Sequence, residues 1–278
     1  MLKPPRPHEV AGASSSDGPK VPTPLVRPVD VVSHTEWNLA GFDVVGGGAD
    51  TFADRIGAIT AEIADIGSDV LSLLEVPKRH LAAFEKALAE AGYSIGRHGR
   101  GRAVVVRTGM RTRRWAVYKL PTRGPSKDAR HVVYSEVYVG TERWLFTAGH
   151  FEHRIGSAYD RTRVQQATEA FAKGDRLRSN WGIDVSCVSF ADDENSRVAV
   201  LEQVYEPHGY FDVFEGAWQA DNESVATLSG WSGTIRDGER IDKIKAHRSR
   251  PRRRAHVRKT AAGISDHLPT TVVYGAPA

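Results

Sequence analysis

The residues most suited to catalysis lie near the C-terminus, in the triplet Ser265-Asp266-His267, which precedes an apolar run. An acid, Asp242, follows Arg240-Ile241 a short distance upstream. A carboxylate beside an imidazole fixes the tautomer of the ring and stabilises its charged form, which general acid–base chemistry near neutral pH requires. We therefore predict that Asp242 and His267 form an acid–base pair.

Two further polar residues, Asn38 and Glu75, stand where apolar runs end. A buried carboxylate is costly unless it is paired or binds a cation, and Mg²⁺ accepts a single carboxylate together with substrate phosphate. Glu75 is therefore either a metal ligand or one half of a salt bridge at a sheet edge. The Asn38 amide can contact a phosphate oxygen or orient a carboxylate, while a turn or helix cap is the other interpretation.

Two more polar positions follow apolar runs in the second half of the chain. His150 closes the run that begins at Trp144 and could donate a hydrogen bond to phosphate, or serve only the structure. Asp193 and Asn195 are two residues apart, so both can point the same way from an extended backbone. An Asp that takes a proton from water beside an Asn suits metal-assisted hydrolysis, and a polar turn is the alternative.

Positive charge is concentrated in one segment. The formal net charge is +4. Between His247 and Lys259 the chain has seven basic residues and no acid, so the remainder carries 4 − 7 = −3. Such a run attracts a polyanion such as nucleic acid, although a solvated loop is the other interpretation. We place it in the loop between two core strands as a candidate nucleic-acid contact, which comprises Arg248, Arg250, Arg252, Arg253, Arg254, Arg258 and Lys259.

Composition indicates one domain after a flexible leader. The chain has 278 residues, of which 40% are hydrophobic, and no stretch is apolar enough to span a bilayer. Residues 1 to 28 are rich in Pro, Gly and Ser, which predicts a flexible leader. Residues 29 to 278 suit one large domain or two small ones, and we favour a single domain. The single Cys187 excludes an internal disulfide, and no secretory signal is visible, so we expect a cytoplasmic protein.

Periodicity supplies the elements that must position these residues. Apolar residues spaced 4, 3, 4 and 3 predict a helix from Phe52 to Ile66, and further helices are predicted over residues 78 to 90 and 159 to 178. Strands are predicted over residues 70–76, 103–107, 132–139, 144–147, 185–190, 240–246 and 270–274. This mixture favours an α+β fold of two packed, mainly antiparallel sheets with helices outside.

The order of these segments resembles the endonuclease/exonuclease/phosphatase superfamily, which includes pancreatic-type deoxyribonuclease and abasic-site endonucleases. The resemblance runs from about residue 30 to 275 and is carried by Trp37-Asn38, Leu74-Glu75-Val76, Thr147-Ala148-Gly149-His150-Phe151, Asp193-Glu194-Asn195, Arg240-Ile241-Asp242 and Ser265-Asp266-His267-Leu268-Pro269. Three departures stand out, since Asp192 replaces the usual Gly, Glu194 the usual Phe and Lys243 the usual aromatic residue.

The resemblance implies a four-layer α/β/β/α sandwich with the active site at one edge. It implies that Glu75, with Asp266 as a further contact, holds Mg²⁺ or Mn²⁺, and that Asn38 and His150 contact the scissile phosphate. Asp193 would activate water with Asn195 orienting it, and Asp242 would brace His267, which stabilises the pentacovalent phosphorus and the leaving group.

Three functions follow as hypotheses. The first is a metal-dependent phosphodiesterase that hydrolyses nucleic acid, a nuclease of endo or exo action with DNA as the favoured substrate. The second keeps the chemistry on a phospholipid or inositol-phosphate head group. The third is a nucleic-acid-binding homologue with weakened catalysis, which the altered segment around Asp193 would explain.

Overall fold

The computed structural model describes most of the chain. It describes residues 31–41, 51–122, 129–152, 157–183, 185–191, 204–222, 225–227, 235, 241–247 and 251–275. The leader predicted for residues 1 to 28 and four candidate site residues, Asp193, Asn195, Arg248 and Arg250, lie outside the described residues.

Two β-sheets form the centre of the fold. The first has seven strands, whose order across the sheet is β10 (Gln219–Asp221), β12 (Arg252–Val257), β13 (Thr270–Tyr274), β1 (Val32–Asn38), β2 (Val70–Leu74), β4 (Arg102–Arg107) and β3 (Tyr93–Gly99). The second has six, in the order β5 (Thr112–Lys119), β6 (His131–Val139), β7 (Glu142–His150), β8 (Val185–Ala191), β11 (Asp242–His247) and β9 (Tyr210–Asp212).

Most neighbouring strands are antiparallel. Within the described part of the chain, only β1 with β2, β7 with β8 and β10 with β12 run parallel. Side chains along each strand point alternately to the two faces of the sheet, so each sheet can bury both faces. The prediction of two mainly antiparallel sheets is confirmed.

In the described part of the chain, three α-helices cover the outer faces of the sheets. Helices α1 (Phe52–Ile66) and α2 (Leu81–Glu90) pack against the first sheet through a cluster that includes Ile59, Phe84 and Leu71. Helix α3 (Ser157–Trp181) packs against the second sheet, where Phe171 lies among buried residues such as Tyr134. Short 3₁₀ turns occur at Lys78–His80, Glu206–His208 and Lys259–Ala261.

The inner faces of the two sheets form the central core. Val104, Leu74 and Val272 of the first sheet meet Phe146 and Ile244 of the second. The result is the predicted four-layer α/β/β/α sandwich. No helix among the described residues is long and apolar enough to cross a membrane.

The ends of α1 follow from its sequence. Thr51 caps the first turn by accepting a hydrogen bond from the Asp54 backbone N–H, and the Asp54 side chain accepts one from the Thr51 N–H in return. The helix ends at Gly67, whose φ of 64° is in the left-handed region that glycine tolerates. The predicted bounds of this helix are confirmed.

The basic segment differs from its prediction. Residues 252 to 257 are not a loop but strand β12, which pairs with β13 and β10. Ala255 and Val257 are fully buried in the central core, and this apolar alternation makes the segment a strand despite its charge. The sequence reading also did not identify β3, β5, β9 and β10 as strands.

Predicted site residues from both sheets reach one end of the sandwich. Strands β1 and β2 are parallel with Asn38 opposite Leu74, so Glu75 follows beside Asn38. In the second sheet, Ala191 pairs with both His150 and Asp242, which brings β7 and β11 to the same end.

Candidate active site

His267 and Asp242 form the pair that the sequence predicts. The His267 Nδ1 atom lies 2.6 Å from Asp242 Oδ2, and Asp242 is fully buried. Because a carboxylate only accepts hydrogen bonds, the proton of this contact is on Nδ1. The opposite ring atom, Nε2, is thereby turned away from Asp242 and lies 3.5 Å from the Asn38 side-chain nitrogen.

The environment of His267 keeps its ring protonated at neutral pH. Burial lowers the pKa of His267, but the charge and hydrogen bond of Asp242 raise it more, with help from Asp266 and Glu75. The net pKa is about 9. A protonated imidazole that faces a reacting group can donate a proton or stabilise negative charge there.

Asn38 connects the pair to Glu75. Its side-chain nitrogen donates to Glu75 Oε1 at 3.2 Å, while its oxygen accepts from the Ala40 backbone N–H at 3.0 Å. The second contact fixes which way the amide points. Asn38 therefore acts as an orienter of the carboxylate, which is one of the two roles expected from the sequence.

Glu75 has an unusual backbone conformation. Its φ is 56°, in the left-handed region that a non-glycine residue rarely adopts. The chain at Gly41 approaches its carbonyl so closely that a Cβ at residue 41 would lie 1.8 Å from the Glu75 oxygen. Strained residues of this kind concentrate at functional sites.

Burial also affects the charge of Glu75. It raises the pKa of the Glu75 carboxyl, and the charge of His267 and the Asn38 hydrogen bond lower it. A buried carboxylate with a raised pKa gains most from a neighbouring cation. This electrostatic environment supports the metal-ligand interpretation of Glu75.

His150 lies on the other side of Glu75. Its Nδ1 atom is 3.7 Å from Glu75 Oε1 and 3.1 Å from the Arg130 guanidinium. Because Arg130 can only donate, Nδ1 accepts, and the neutral ring carries its proton on Nε2. That atom is the hydrogen-bond donor that a phosphate contact by His150 requires.

An arginine from helix α1 holds the two loops of the site together. Arg55 is 5% exposed, and its guanidinium donates to the carbonyls of Leu39, Ala40 and Ile264 at 3.1, 2.7 and 2.7 Å. The loop after Asn38 and the loop before His267 are thereby fixed to one side chain. Arg55 was not predicted from the sequence as a site residue. Its place on the apolar face of α1, between Phe52 and Ile59, was the signal that its side chain is buried.

Further hydrogen bonds hold Asp242 and His267 in place. The Thr227 hydroxyl accepts from the Asp242 N–H at 3.0 Å, and the Trp37 indole donates to the His267 carbonyl at 2.9 Å. The Ser265 hydroxyl donates to the Asn38 carbonyl at 2.7 Å and accepts from the His267 N–H at 3.2 Å. Ser265 is thus a positioning residue for both Asn38 and His267.

The residues at this end fit a magnesium-type site that is completed by substrate. No group of three His, Cys, Asp or Glu residues suited to a metal occurs within the described ranges. The donors present are the carboxylates of Glu75 and Asp266, whose side chains are 18% and 26% exposed. Mg²⁺ is commonly held by one or two carboxylates, with water and substrate phosphate as the other ligands.

The remaining predicted residues are less directly placed. Asp193 and Asn195 follow β8, which ends at Ala191 beside His150 and Asp242, but they lie outside the described residues. Three of the described arginines of the basic segment have partners within the protein. Arg252 donates to the Glu215 carbonyl, Arg254 pairs with Asp221 at 2.7 Å, and Arg258 contacts Glu62 at 2.5 Å.

A different pair of arginines lies near Glu75. Arg102 and Arg130 are 9% and 7% exposed. Burial, followed by the charge of Arg130, lowers the pKa of Arg102 to about 10, and Glu75 raises it. Neither Arg102 nor Arg130 is among the site residues predicted from the sequence.

Comparison with known proteins identifies the fold. No protein-family model matches the sequence, and no curated protein sequence matches it. An endonuclease/exonuclease/phosphatase structure from Bacteroides vulgatus superposes with a TM-score of 0.73 at 15% identity, over 89% of this chain and 99% of that one. The chain therefore has the fold of endonuclease/exonuclease/phosphatase proteins, as the resemblance predicted.

Two further structures share this fold. A mannosyl-6-phosphatase from Bacteroides thetaiotaomicron gives a TM-score of 0.69 at 18% identity, over 87% of this chain and 98% of that one. A truncated TDP2 from Caenorhabditis elegans gives 0.66 at 20% identity, over 88% and 98%.

Proposed function

We propose that the protein is a divalent-metal-dependent phosphodiesterase that hydrolyses nucleic acid, with DNA as the favoured substrate. The observation that carries this proposal is the hydrogen bond between His267 and Asp242, with His267 Nε2 directed towards Asn38, whose amide donates to Glu75. It joins a proton donor, a phosphate or carboxylate orienter and a candidate metal ligand at one end of a fold shared with phosphatase structures.

Each residue has a role that its contacts support. The scissile phosphate would lie beside Glu75, with Asn38 and the His150 Nε2–H donating to its oxygens. Mg²⁺ or Mn²⁺ on Glu75 and Asp266 would polarise the phosphoryl group as a Lewis acid. Water then attacks phosphorus, with Asp193 as the proposed proton acceptor and Asn195 as the residue that orients it.

His267 would act on the charge that develops during this attack. Its Nε2 proton stabilises the pentacovalent phosphorus and passes to the ester oxygen as the bond from phosphorus to that oxygen breaks. Asp242 keeps the ring oriented and favours its charged form. The water hydroxyl remains on phosphorus, so no covalent intermediate with the protein forms.

Positive charge supports a polyanionic substrate. Arg253, Arg254 and Lys259 of the basic segment are exposed. Arg253 lies at an irregularity in the pairing of β12 with β13, between Arg252 and Arg254. With Arg248 and Arg250, these residues would contact phosphates without reading sequence.

A second candidate is hydrolysis of a small phosphate ester. The shared fold with a structure named as a mannosyl-6-phosphatase favours it, and it includes the head-group substrates considered from sequence. The chemistry at Glu75 and His267 would be the same, and only the groups around the phosphate would differ.

The test is nicking of supercoiled plasmid with Mg²⁺ or Mn²⁺, compared with chelator and with the variants Glu75→Gln and His267→Ala. The proposal expects cleavage that chelator abolishes and that each substitution strongly reduces. Cleavage that survives chelator or both substitutions would exclude this site. Hydrolysis of a sugar or inositol phosphate without any nicking would favour the second candidate, and salt-sensitive DNA binding without cleavage would indicate a binding protein.

A further inference from the structure

Arg102 is a buried cation that has no role in the proposed hydrolysis. It begins strand β4, opposite Leu74, the residue that precedes Glu75. Val104 and Val106, on the same face of β4, lie in the core between the sheets. By alternation, the Arg102 side chain points into the gap between the sheets at the end where Glu75 lies.

The guanidinium of Arg102 is only partly satisfied. One of its Nη atoms donates to the Arg100 carbonyl. Its Nε atom is buried without a hydrogen-bond partner in the described part of the protein, and no described carboxylate forms an ion pair with it. Arg102 is only 9% exposed, and a buried charge without full hydrogen bonding costs free energy. An anion that reaches its guanidinium would therefore be bound strongly.

Position separates Arg102 from the place proposed for the scissile phosphate. Across the first sheet, Asn38 on β1 lies on one side of β2, and Arg102 on β4 lies on the other. Neighbouring strands are roughly 4.8 Å apart, so the two residues are separated by two such spacings. An anion on Arg102 is therefore adjacent to, and distinct from, a phosphate held between Asn38, Glu75 and His267.

The second sheet adds positive charge at the same place. Arg130 lies just before β6, and its charge acts on Arg102. Lys119, at the end of β5, is exposed, and it lies opposite His131 of β6 in the strand register. In the turn between β3 and β4, Arg100 is also exposed, which gives an anion an open approach.

We propose that Arg102 forms a subsite for a second phosphate group of the substrate, next to the phosphate that is hydrolysed. The inference rests on the proposed function for the position of the first phosphate. The second group would be either a terminal phosphomonoester or the next phosphodiester of a polynucleotide. Substrates with two phosphates would be preferred over those with one.

Equilibrium binding in chelator tests this subsite without any turnover. The ligands are deoxyadenosine 3′,5′-bisphosphate, deoxyadenosine 5′-monophosphate and a trinucleotide without terminal phosphate, and the method is calorimetry. Arg102→Met, which keeps the buried stem, should weaken bisphosphate or trinucleotide binding about 30-fold and leave the monophosphate nearly unchanged. The ligand with the larger loss identifies the source of the second phosphate.

Two further variants control the result. Arg113→Ala removes an exposed arginine of β5 and should change none of the affinities. Arg102→Lys keeps the charge without the planar fork and should give an intermediate loss. Equal losses for all three ligands would place Arg102 at the scissile phosphate and overturn the proposal, and so would unchanged binding of both ligands with two phosphates. Failure of the proposed hydrolysis would appear separately, as wild-type protein that binds these ligands but does not cleave DNA.

Discussion

His267 Nδ1 lies 2.6 Å from Asp242 Oδ2, although the two residues are 25 positions apart in the chain. Asp242 begins β11 of the second sheet, and His267 precedes β13 of the first. The pair therefore bridges the two layers at the end where Asn38, Glu75 and His150 also lie. A hydrogen bond of this kind depends on how the sheets are packed together, so catalysis and packing are coupled at this point.

Glu75→Gln should raise the Mg²⁺ or Mn²⁺ concentration needed for half-maximal activity. The amide keeps the size of the side chain but removes the negative charge that would attract the cation. Since loss of a hydrogen-bond partner of a metal ligand alone costs about 10- to 100-fold in affinity, we expect at least about tenfold here. The measurement is activity as a function of metal concentration.

Glu136→Gln is the matched control for this prediction. Glu136 is also buried, but it pairs with Arg114 and Arg143, each at 2.8 Å, on the second sheet. The Glu136→Gln substitution should lower the free energy of unfolding and leave the metal requirement unchanged. An unaltered metal requirement in Glu75→Gln would contradict its assignment as a ligand.

Gly41→Ala should reduce both activity and stability. Its Cβ would lie 1.8 Å from the Glu75 carbonyl oxygen, so the backbone that presents the carboxylate must move. We expect a loss of roughly 2 kcal/mol in the free energy of unfolding, together with lower kcat. Gly57→Ala in α1 is the control, because nothing lies within 4 Å of its Cβ, and it should be stabilising by about 0.5–1 kcal/mol. Full activity in Gly41→Ala would show that the Glu75 conformation is not required.

His34 should make the fold sensitive to acid. It is fully buried on β1, where its Nε2 lies 2.8 Å from the Ser72 hydroxyl, and burial lowers its pKa from 6.5 to about 3. The native ring therefore stays neutral, while the unfolded chain binds a proton below about pH 6.5. This contribution to stability is complete above that pH and is lost as the pH falls towards 3, with on the order of 2 kcal/mol gone at pH 5.

Urea unfolding of the wild type and of His34→Gln at pH 7 and pH 5 measures this effect. The variant has no group to titrate at this position, so its stability should fall less between the two values. The comparison uses the change with pH, because the substitution itself will lower stability at both. An identical fall in both proteins would contradict the prediction.

The basic residues between Arg252 and Lys259 should divide into two groups. Arg253 and Lys259 are exposed, so replacing both with Ala should reduce the slope of log affinity against log salt by about 1.8 for duplex DNA. Arg258 contacts Glu62 and Asp65 of α1, so Arg258→Ala should mainly cost stability, on the order of 1 kcal/mol. Filter binding at several salt concentrations and thermal unfolding distinguish the two effects. An unchanged salt slope in the double variant would remove these residues from the interface.

The sequence was sufficient for much of the fold because its helices and central strands have clear periodicity. Helix α1 and strand β13 have the predicted bounds, since apolar spacing and turn residues agree there. Strand β12 was missed because charge hides its alternation: only Ala255 and Val257 face the core, and Arg252 to Arg254 read as a solvated run. The edge strands β3 and β5 are half-exposed, so their apolar pattern is weak.

The site was predictable where its residues end apolar runs, as Asn38, Glu75 and His150 do. Arg55 and Arg102 could not be assigned in the same way, because their importance comes from the loops and charges that packing brings to them. The left-handed conformation of Glu75 and its contact with Gly41 are likewise tertiary features. Such relationships join residues far apart in sequence, and local pattern contains no information about them.

Single-turnover cleavage of a labelled oligodeoxynucleotide in Mg²⁺ at neutral pH tests the central claim most directly, using the wild type, Asp242→Asn and His267→Ala. Loss of the Asp242 charge lets burial lower the pKa of His267, and the Ala variant removes the proton donor altogether. Both variants should therefore cleave about 10²- to 10⁴-fold more slowly while their thermal unfolding stays cooperative. Folded variants that cleave as fast as the wild type would contradict the assignment of this pair as the catalytic acid of the protein.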